Sequence, residues 1–435
     1  MNVLYYLLGV LLFVVGLALS IGLHEAGHLI PGKLYDVKVT QYFIGFGRTL
    51  WSRRRGETEY GVKAIPLGGY VKLAGMIPPE DGADPNQVKS RPTGMFAQLV
   101  DDARSAEYEH IAPYEHHRMF FRQPAWKRLI IMGSGVAINL VLAFVLFAIV
   151  FMGYGVQTPT TTVSRVYACV KVVESGQDAG DCVADSPISP AARAGLEPGD
   201  EIVSFNGHTI TSYDQLQRLI RDNDDARATI VVDRDGVTKT LHTTTVVNDL
   251  TTSDGTKTVE AGFLGITPVE ERQRQGVGYV VDTMASGTWE TIKTIGALPS
   301  KVYHVARAAL GLEKRDQNGI QSVVGAGRVA GELASDDQIS IAGRFFSIVL
   351  ILAGLNLFLG LINLVPLPPF DGGQMATTGY EVIRRRIARL RGRPDPGAVD
   401  PARLLPITYA MSAIILAVSV VLIYADLVVP IHVTN

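Results

Sequence analysis

The stretch His24-Glu25-Ala26-Gly27-His28 carries residue types and a spacing suited to metal chemistry. Histidines four positions apart fall on one face of a helix, where both imidazoles reach a single zinc ion. Glu25 stands beside them, and a carboxylate there can take a proton from an activated water and later pass it to a leaving amine. A catalytic zinc site wants a third protein ligand and an open position for water. Asp371 is the candidate third ligand. It lies in Asn363-Leu364-Val365-Pro366-Leu367-Pro368-Pro369-Phe370-Asp371-Gly372-Gly373, where Pro366, Pro368 and Pro369 forbid a regular helix. Alone, Asp371 could instead close a local turn with Gly372 and Gly373. The adjacent His116 and His117 point apart on any helix and read as solvated.

The elements that must position these groups are apolar. The chain has 435 residues, 47% of them hydrophobic, and a positive mean hydropathy of +0.20. Four segments, near 3–23, 129–151, 345–367 and 405–429, supply the roughly 20 apolar residues that cross a bilayer. The first lacks a basic leader and a small-residue cleavage site, so it reads as a retained helix. The histidine motif sits at the end of the first segment and Asp371 just past the third. Ionisable groups and broken backbone at membrane depth persist where they line a protein site or a watery cavity. The net charge of −2 gives no sign of a nucleic-acid partner.

Basic residues collect on cytoplasmic flanks. Arg53, Arg54, Arg55, Lys127 and Arg128 lie between segments one and two, and Arg384, Arg385, Arg386, Arg389, Arg391 and Arg393 between three and four. Both regions are therefore expected in the cytoplasm, with both termini and the span 156–343 outside. Cys169 and Cys182 could pair there in an oxidising compartment.

The soluble parts read as follows. Residues 42–47 and 60–73 suggest extended stretches punctuated by glycine, a small sheet or hairpin beside the membrane. Residues 76–92 look like an acid- and proline-rich insertion, 94–110 like a helix, and 119–128 like an aromatic and basic interfacial anchor. From Ser189 to Gly207 come a helix start, a glycine stop, a turn, a strand and a second turn, then a helix over 214–221, a strand over 228–232 and the Asp235-Gly236 turn. This order resembles a circularly permuted PDZ domain over about 163–246, a module that captures an extended peptide at a sheet edge; another small α+β domain is the alternative.

Together, the zinc motif in the first span, Asp371-Gly372 after the third and the PDZ-like region between spans two and three resemble the site-2 protease family of intramembrane zinc metalloproteases. Gly45-Phe46-Gly47, Pro66-Leu67-Gly68-Gly69-Tyr70-Val71-Lys72 and Pro124-Ala125-Trp126-Lys127-Arg128 extend the likeness over nearly the whole chain. It is most similar to actinobacterial members with one PDZ domain and to the bacterial regulator of sigma-E protease. The resemblance implies Zn2+ on His24, His28 and Asp371, Glu25 as general base, and Asn363 holding the substrate backbone or developing oxyanion. It also implies that Gly45, Gly47, Gly68 and Gly69 belong to β elements that pair with an unwound substrate. In Gly135-Val136-Ala137-Ile138-Asn139 the family's proline is replaced by Val136, so Asn139 is either an active-site donor or an interhelical hydrogen bond.

The expected fold class is a membrane α-helical protein: four transmembrane helices, a membrane-associated β region and an external PDZ-like α+β domain. The expected segments are 1–34, first helix with the zinc motif; 35–127, cytoplasmic β region and insertion; 128–155, second helix; 156–250, PDZ-like domain; 251–343, external linker with amphipathic helices; 344–378, third helix with the third ligand; 379–404, cytoplasmic basic loop; and 405–435, fourth helix and tail. The expected function is hydrolysis of a peptide bond within the membrane segment of a single-pass membrane protein, an anti-sigma factor first shortened by an upstream site-1-type protease, in the bacterial plasma membrane with the zinc site towards the cytoplasm. A non-catalytic PDZ-bearing scaffold and a transporter with an ionisable relay are the rivals; four spans without an internal repeat weigh against the latter.

Overall fold

The computed structural model describes residues 2–77, 113–170, 186–251, 258–397 and 399–432. The expected insertion and helix between 78 and 112 and the residue Cys182 lie outside them. The chain divides into two compact units, Met1–Tyr154 with Gly276–Asn435, and Gly155–Gln275. In chain order the first unit begins with α1 (Asn2–Leu34), the hairpin strands β1 (Val39–Arg55) and β2 (Thr58–Leu73), and α2 (Ala125–Ala148). The second unit holds β3 (Val156–Val166), α3 (Pro190–Ala194), β4 (Glu201–Phe205), β5 (His208–Thr209), α4 (Tyr213–Arg221), β6 (Arg227–Arg234), β7 (Val237–Thr244), β8 (Val246–Thr251), β9 (Thr258–Phe263) and β10 (Ile266–Gln273). The first unit then resumes with α5 (Val277–Gly296), α6 (Leu298–Ala309), α7 (Val323–Ser335), α8 (Ile341–Ile362), α9 (Asp371–Leu390) and α10 (Leu405–Val428).

Four helical stretches are long and apolar enough to cross a membrane: Val3–Leu34, Ala125–Tyr154, Ile341–Ile362 and Pro401–Val428. The first runs past the uninterrupted apolar stretch that ends near residue 23 and continues through Pro31. A proline there cannot donate to the carbonyl of Gly27 four residues back. The Ser134 hydroxyl of α2 donates to that carbonyl instead, at 2.6 Å. The third stops earlier than expected, at Ile362, because the proline-rich stretch cannot follow; α9 then opens on Asp371 and makes a helix of much of the expected basic loop. Asp371 in its first turn and Arg389 in its last both suit the helix dipole.

Phe13 and Leu17 of α1, Ala330 and Ala334 of α7, and Ile348 and Leu352 of α8 form one buried cluster. Beside the hairpin, Leu29, Val37, Val39, Leu73, Phe120, Ile131 and Met132 form another, and the Tyr42 hydroxyl donates to the Gly22 carbonyl of α1 at 2.7 Å. The hairpin thus grips the C-terminal half of α1. The fourth span differs: it meets α6 through Ala425, Val305 and Ala309 and leaves Ile414, Leu416 and Val420 exposed, as a lipid-facing helix would.

In the second unit the sheet runs β10-β3-β4-β6-β7, with β5 paired to β4 and β8 to β9 as a separate ribbon. Ile202, Phe205, Leu216 and Ile230 fill its core. Ser189 caps α3 by accepting from the Ala192 N–H, and Gly195 ends it in the left-handed conformation. The expected order of helices, strands and turns from 189 to 236 is present. The unit extends past 250, however, because Leu264 enters the core and β10 pairs antiparallel with β3. Cys169 takes part in a disulfide.

Candidate metal centre

Helix α1 presents His24, Glu25 and His28 to a cavity of about 430 Å3. β2 supplies Gly68, Gly69 and Val71 to its wall, α2 supplies Asn139, and the stretch after α8 supplies Asn363 and Asp371. The spacing of four places both imidazoles together: Nε2 of His24 and Nε2 of His28 are 3.3 Å apart. Oδ2 of Asp371 lies 3.3 Å from each. The ligand atoms of these three side chains all fall within 4.8 Å of one another, close enough to hold one metal ion.

The surroundings favour an ion there. Nδ1 of His28 is 2.7 Å from the Ile131 carbonyl oxygen, and that acceptor assigns the ring proton to Nδ1. Nε2 of His28 therefore keeps its lone pair, oriented as metal-binding histidines are by a carbonyl behind them. Oδ2 of Asp371 is buried without a hydrogen bond among the described residues. Three lone-pair donors converging in a buried space repel one another unless a cation lies between them.

Backbone placement follows from glycine. α1 crosses α2 where Gly27 meets Gly135: a Cβ on Gly27 would come within 2.8 Å of the Gly135 Cα, and one on Gly135 would collide with the His28 ring. Small residues at such a crossing let two helices approach closely. A Cβ on Gly69 would lie 2.9 Å from Cγ of Glu25, so the glycine gives that carboxylate room, and the Val71 N–H hydrogen-bonds to it. The Gly372 N–H donates to the Asn363 carbonyl at 2.7 Å, fixing the turn that delivers Asp371.

The residues singled out from the sequence divide into two groups. His24, Glu25, His28, Asp371, Asn363, Asn139, Gly68 and Gly69 share the cavity wall. Asn139 is 1% exposed, with an Oδ1 that has no partner among the described residues. Gly45 and Gly47 do not line the cavity; they take positive φ of 91° and 81° within β1, and a Cβ on Gly45 would lie 2.7 Å from the Ile65 carbonyl oxygen. His117 is exposed near Asp36, away from the donor cluster. Sequence reasoning missed Gly135, Ser134, the Ile131 carbonyl and Gln374. Gly135 begins the same five-residue stretch as Asn139, and Gln374 lies one helical turn after Asp371, so the helix starting at Asp371 would have pointed to it.

Known proteins resemble this chain over most of its length. The family described as peptidase family M50 matches residues 12–394. The zinc metalloprotease Rip1 of Mycobacterium tuberculosis is 31% identical over 439 residues, covering 98% of this chain and 99% of the relative. Its namesake in Mycolicibacterium smegmatis is 32% identical over 98% of each chain. The metalloprotease MmpA of Caulobacter vibrioides is 28% identical over 87% of each.

Proposed function

The chain belongs to peptidase family M50, a membrane zinc metalloprotease by that membership, and on this premise we propose that it hydrolyses a peptide bond in or near the transmembrane segment of another membrane protein. One observation carries the reading: His24, Glu25 and His28 lie on a helix long and apolar enough to span a bilayer, and Asp371, just past the third such helix, converges on the two histidines.

His24, His28 and Asp371 are the proposed zinc ligands. Bound zinc supplies Lewis-acid polarisation of a water and of the scissile carbonyl. Glu25 takes the water's proton and delivers it to the leaving amide nitrogen. Asn363, and Asn139 of α2, offer amide donors to the substrate carbonyl; a preplaced donor aimed at developing charge lowers the barrier by a few kcal/mol. A membrane helix must unwind before its peptide bonds can be cut, and its freed N–H and C=O groups need new partners. β2 pairs with β1 alone among the described residues, so its Gly68–Val71 stretch on the cavity wall is placed to provide them. Gly45 and Gly47 serve that pairing through the shape of β1.

The basic residues Arg53, Arg54 and Arg55 on the hairpin and the arginines of α9 support a cytoplasmic location for this end of the site, with both termini and the second unit outside. The second unit is read as PDZ-like, and β10, one of the two outermost strands of its sheet, offers an edge at which an incoming peptide would add. An anti-sigma factor shortened by an upstream protease is the proposed substrate class, on family resemblance.

The test uses the full chain reconstituted with a single-pass substrate. Glu25→Gln is expected to cut turnover by a factor on the order of 10² to 10⁴ while the metal stays bound. Retained turnover in that variant would remove Glu25 from the reaction.

A further inference from the structure

A second cleft, of about 880 Å3, shares no lining residue with the catalytic cavity. Arg122, Arg128, Arg385, Arg386 and Arg389 line it, against a single carboxylate, Glu381. Glu381 is already engaged: it takes the Arg128 guanidinium through two hydrogen bonds of 2.8 and 3.1 Å and lies 3.2 Å from Arg385. Arg386 and Arg389 are exposed and make no ion pair or hydrogen bond among the described residues. Arg128 is 7% exposed, and its Nε has no hydrogen-bond partner among the described residues. A buried guanidinium N–H left unmatched on the wall of a cleft is a donor awaiting an acceptor.

The backbone adds to this charge. Pro124 and Ala125 belong to the wall, and α2 opens there without a side-chain cap. Uncapped N–H groups at the start of a long helix favour an anion. Guanidinium groups together with a helix N-terminus match a phosphate, whose oxygens accept from several planar donors at once.

The cleft also lies at a particular depth. The span begins at Ala125, so its mouth is level with lipid headgroups, and Trp126 and Ile130, on the first turns of the same helix, are 54% and 44% exposed. Exposed aromatic and aliphatic side chains at the entry of a span mark the interface, where anionic headgroups lie. We infer that this cleft binds the phosphate headgroup of an anionic phospholipid. Bound there, the lipid bridges the entry of α2 and helix α9, which begins at the proposed ligand Asp371.

The test is native mass spectrometry of the detergent-purified full chain, titrated with dioleoyl phosphatidylglycerol or dioleoyl phosphatidylcholine. The expected result is retention of phosphatidylglycerol over phosphatidylcholine, weakened about tenfold or more in Arg386→Ala/Arg389→Ala, in line with two lost charged contacts, and unchanged in Arg53→Ala/Arg54→Ala. Equal retention of the two lipids overturns the inference. So does an equal loss in both variants, which would mean general attraction to positive charge. Displacement of phosphatidylglycerol by inorganic phosphate at the same concentration would reassign the cleft to a soluble phosphate and overturn the lipid. The two altered arginines are exposed, so folding does not hinge on them.

Discussion

Glu381, Asp426 and Asp371 of the membrane unit are carboxylates held in two different ways. Glu381 meets the Arg128 guanidinium, and Asp426 meets that of Arg315 at 3.0 Å while accepting the Ser322 N–H at 2.6 Å. Each has an opposite charge and directed hydrogen bonds, the condition under which buried charges are tolerated. Asp371 faces two imidazole nitrogens instead, and its Oδ2 has no hydrogen bond among the described residues. The difference separates buried charge that holds helices together from buried charge that awaits an ion. By the same criterion the Arg128 Nε is the unmatched remainder, among the described residues, of an otherwise matched pair on the wall of the arginine cleft.

The strongest way to break this comparison is to measure metal. Asp371→Ala or His28→Ala is expected to lower zinc from about one per chain to near none, against an apparent binding free energy of about 10–16 kcal/mol for well-formed zinc sites. Glu381→Gln is expected to leave zinc in place. Metal loss in Glu381→Gln as complete as in Asp371→Ala would erase the distinction. Next in size, Asp426→Ala should destabilise the folded protein by about 3–5 kcal/mol by stranding Arg315, read from thermal unfolding in detergent, whereas Arg315→Met with Asp426→Leu should recover most of the loss. Gly135→Ala sharpens the comparison without removing a donor atom: its Cβ would fall against Nε2 of His28, and by pushing that ring it should weaken zinc affinity about 10–100-fold, the scale seen when the support of a ligand is disturbed, as read in chelator competition.

The smallest effect lies in the second unit. Burial pushes the Asp200 carboxyl up, but Arg234 and the Glu197 N–H outweigh it and hold it below the usual carboxylate range. A carboxylate depressed in the folded state stabilises fully above its unfolded value of about 3.9 and less as pH falls through the lower folded value. The second unit should therefore melt earlier below about pH 4, and Asp200→Asn should flatten that dependence.

Much of this was legible because the decisive signals are local. The spacing of His24 and His28 needs only one helix, and the four spans need only apolar length. The order of turns between Ser189 and Gly236 is written in capping and turn residues, and the structure realises it. Where reading failed, the cause was contact between distant segments. Ser134 answers Gly27 across α1 and α2, so no local rule names the partner of the carbonyl that Pro31 frees. β10 joins its sheet beside β3, about a hundred residues earlier, and nothing within 251–273 announces that partner. Gly135 looks like any helical glycine until the histidine rings are placed against it.

Pro31 is more than an interruption that α1 survives. A helical carbonyl normally spends its hydrogen bond within its own helix. The ring of Pro31 releases that of Gly27, on the turn between the two histidines, and the Ser134 hydroxyl takes it from across the helix crossing. The proline thereby turns a bond along one helix into a tether between two, at the level of the metal site. Restoring an N–H at this position would set the two partners in competition for one oxygen, and the register of α1 against α2 would become a matter of which one prevailed.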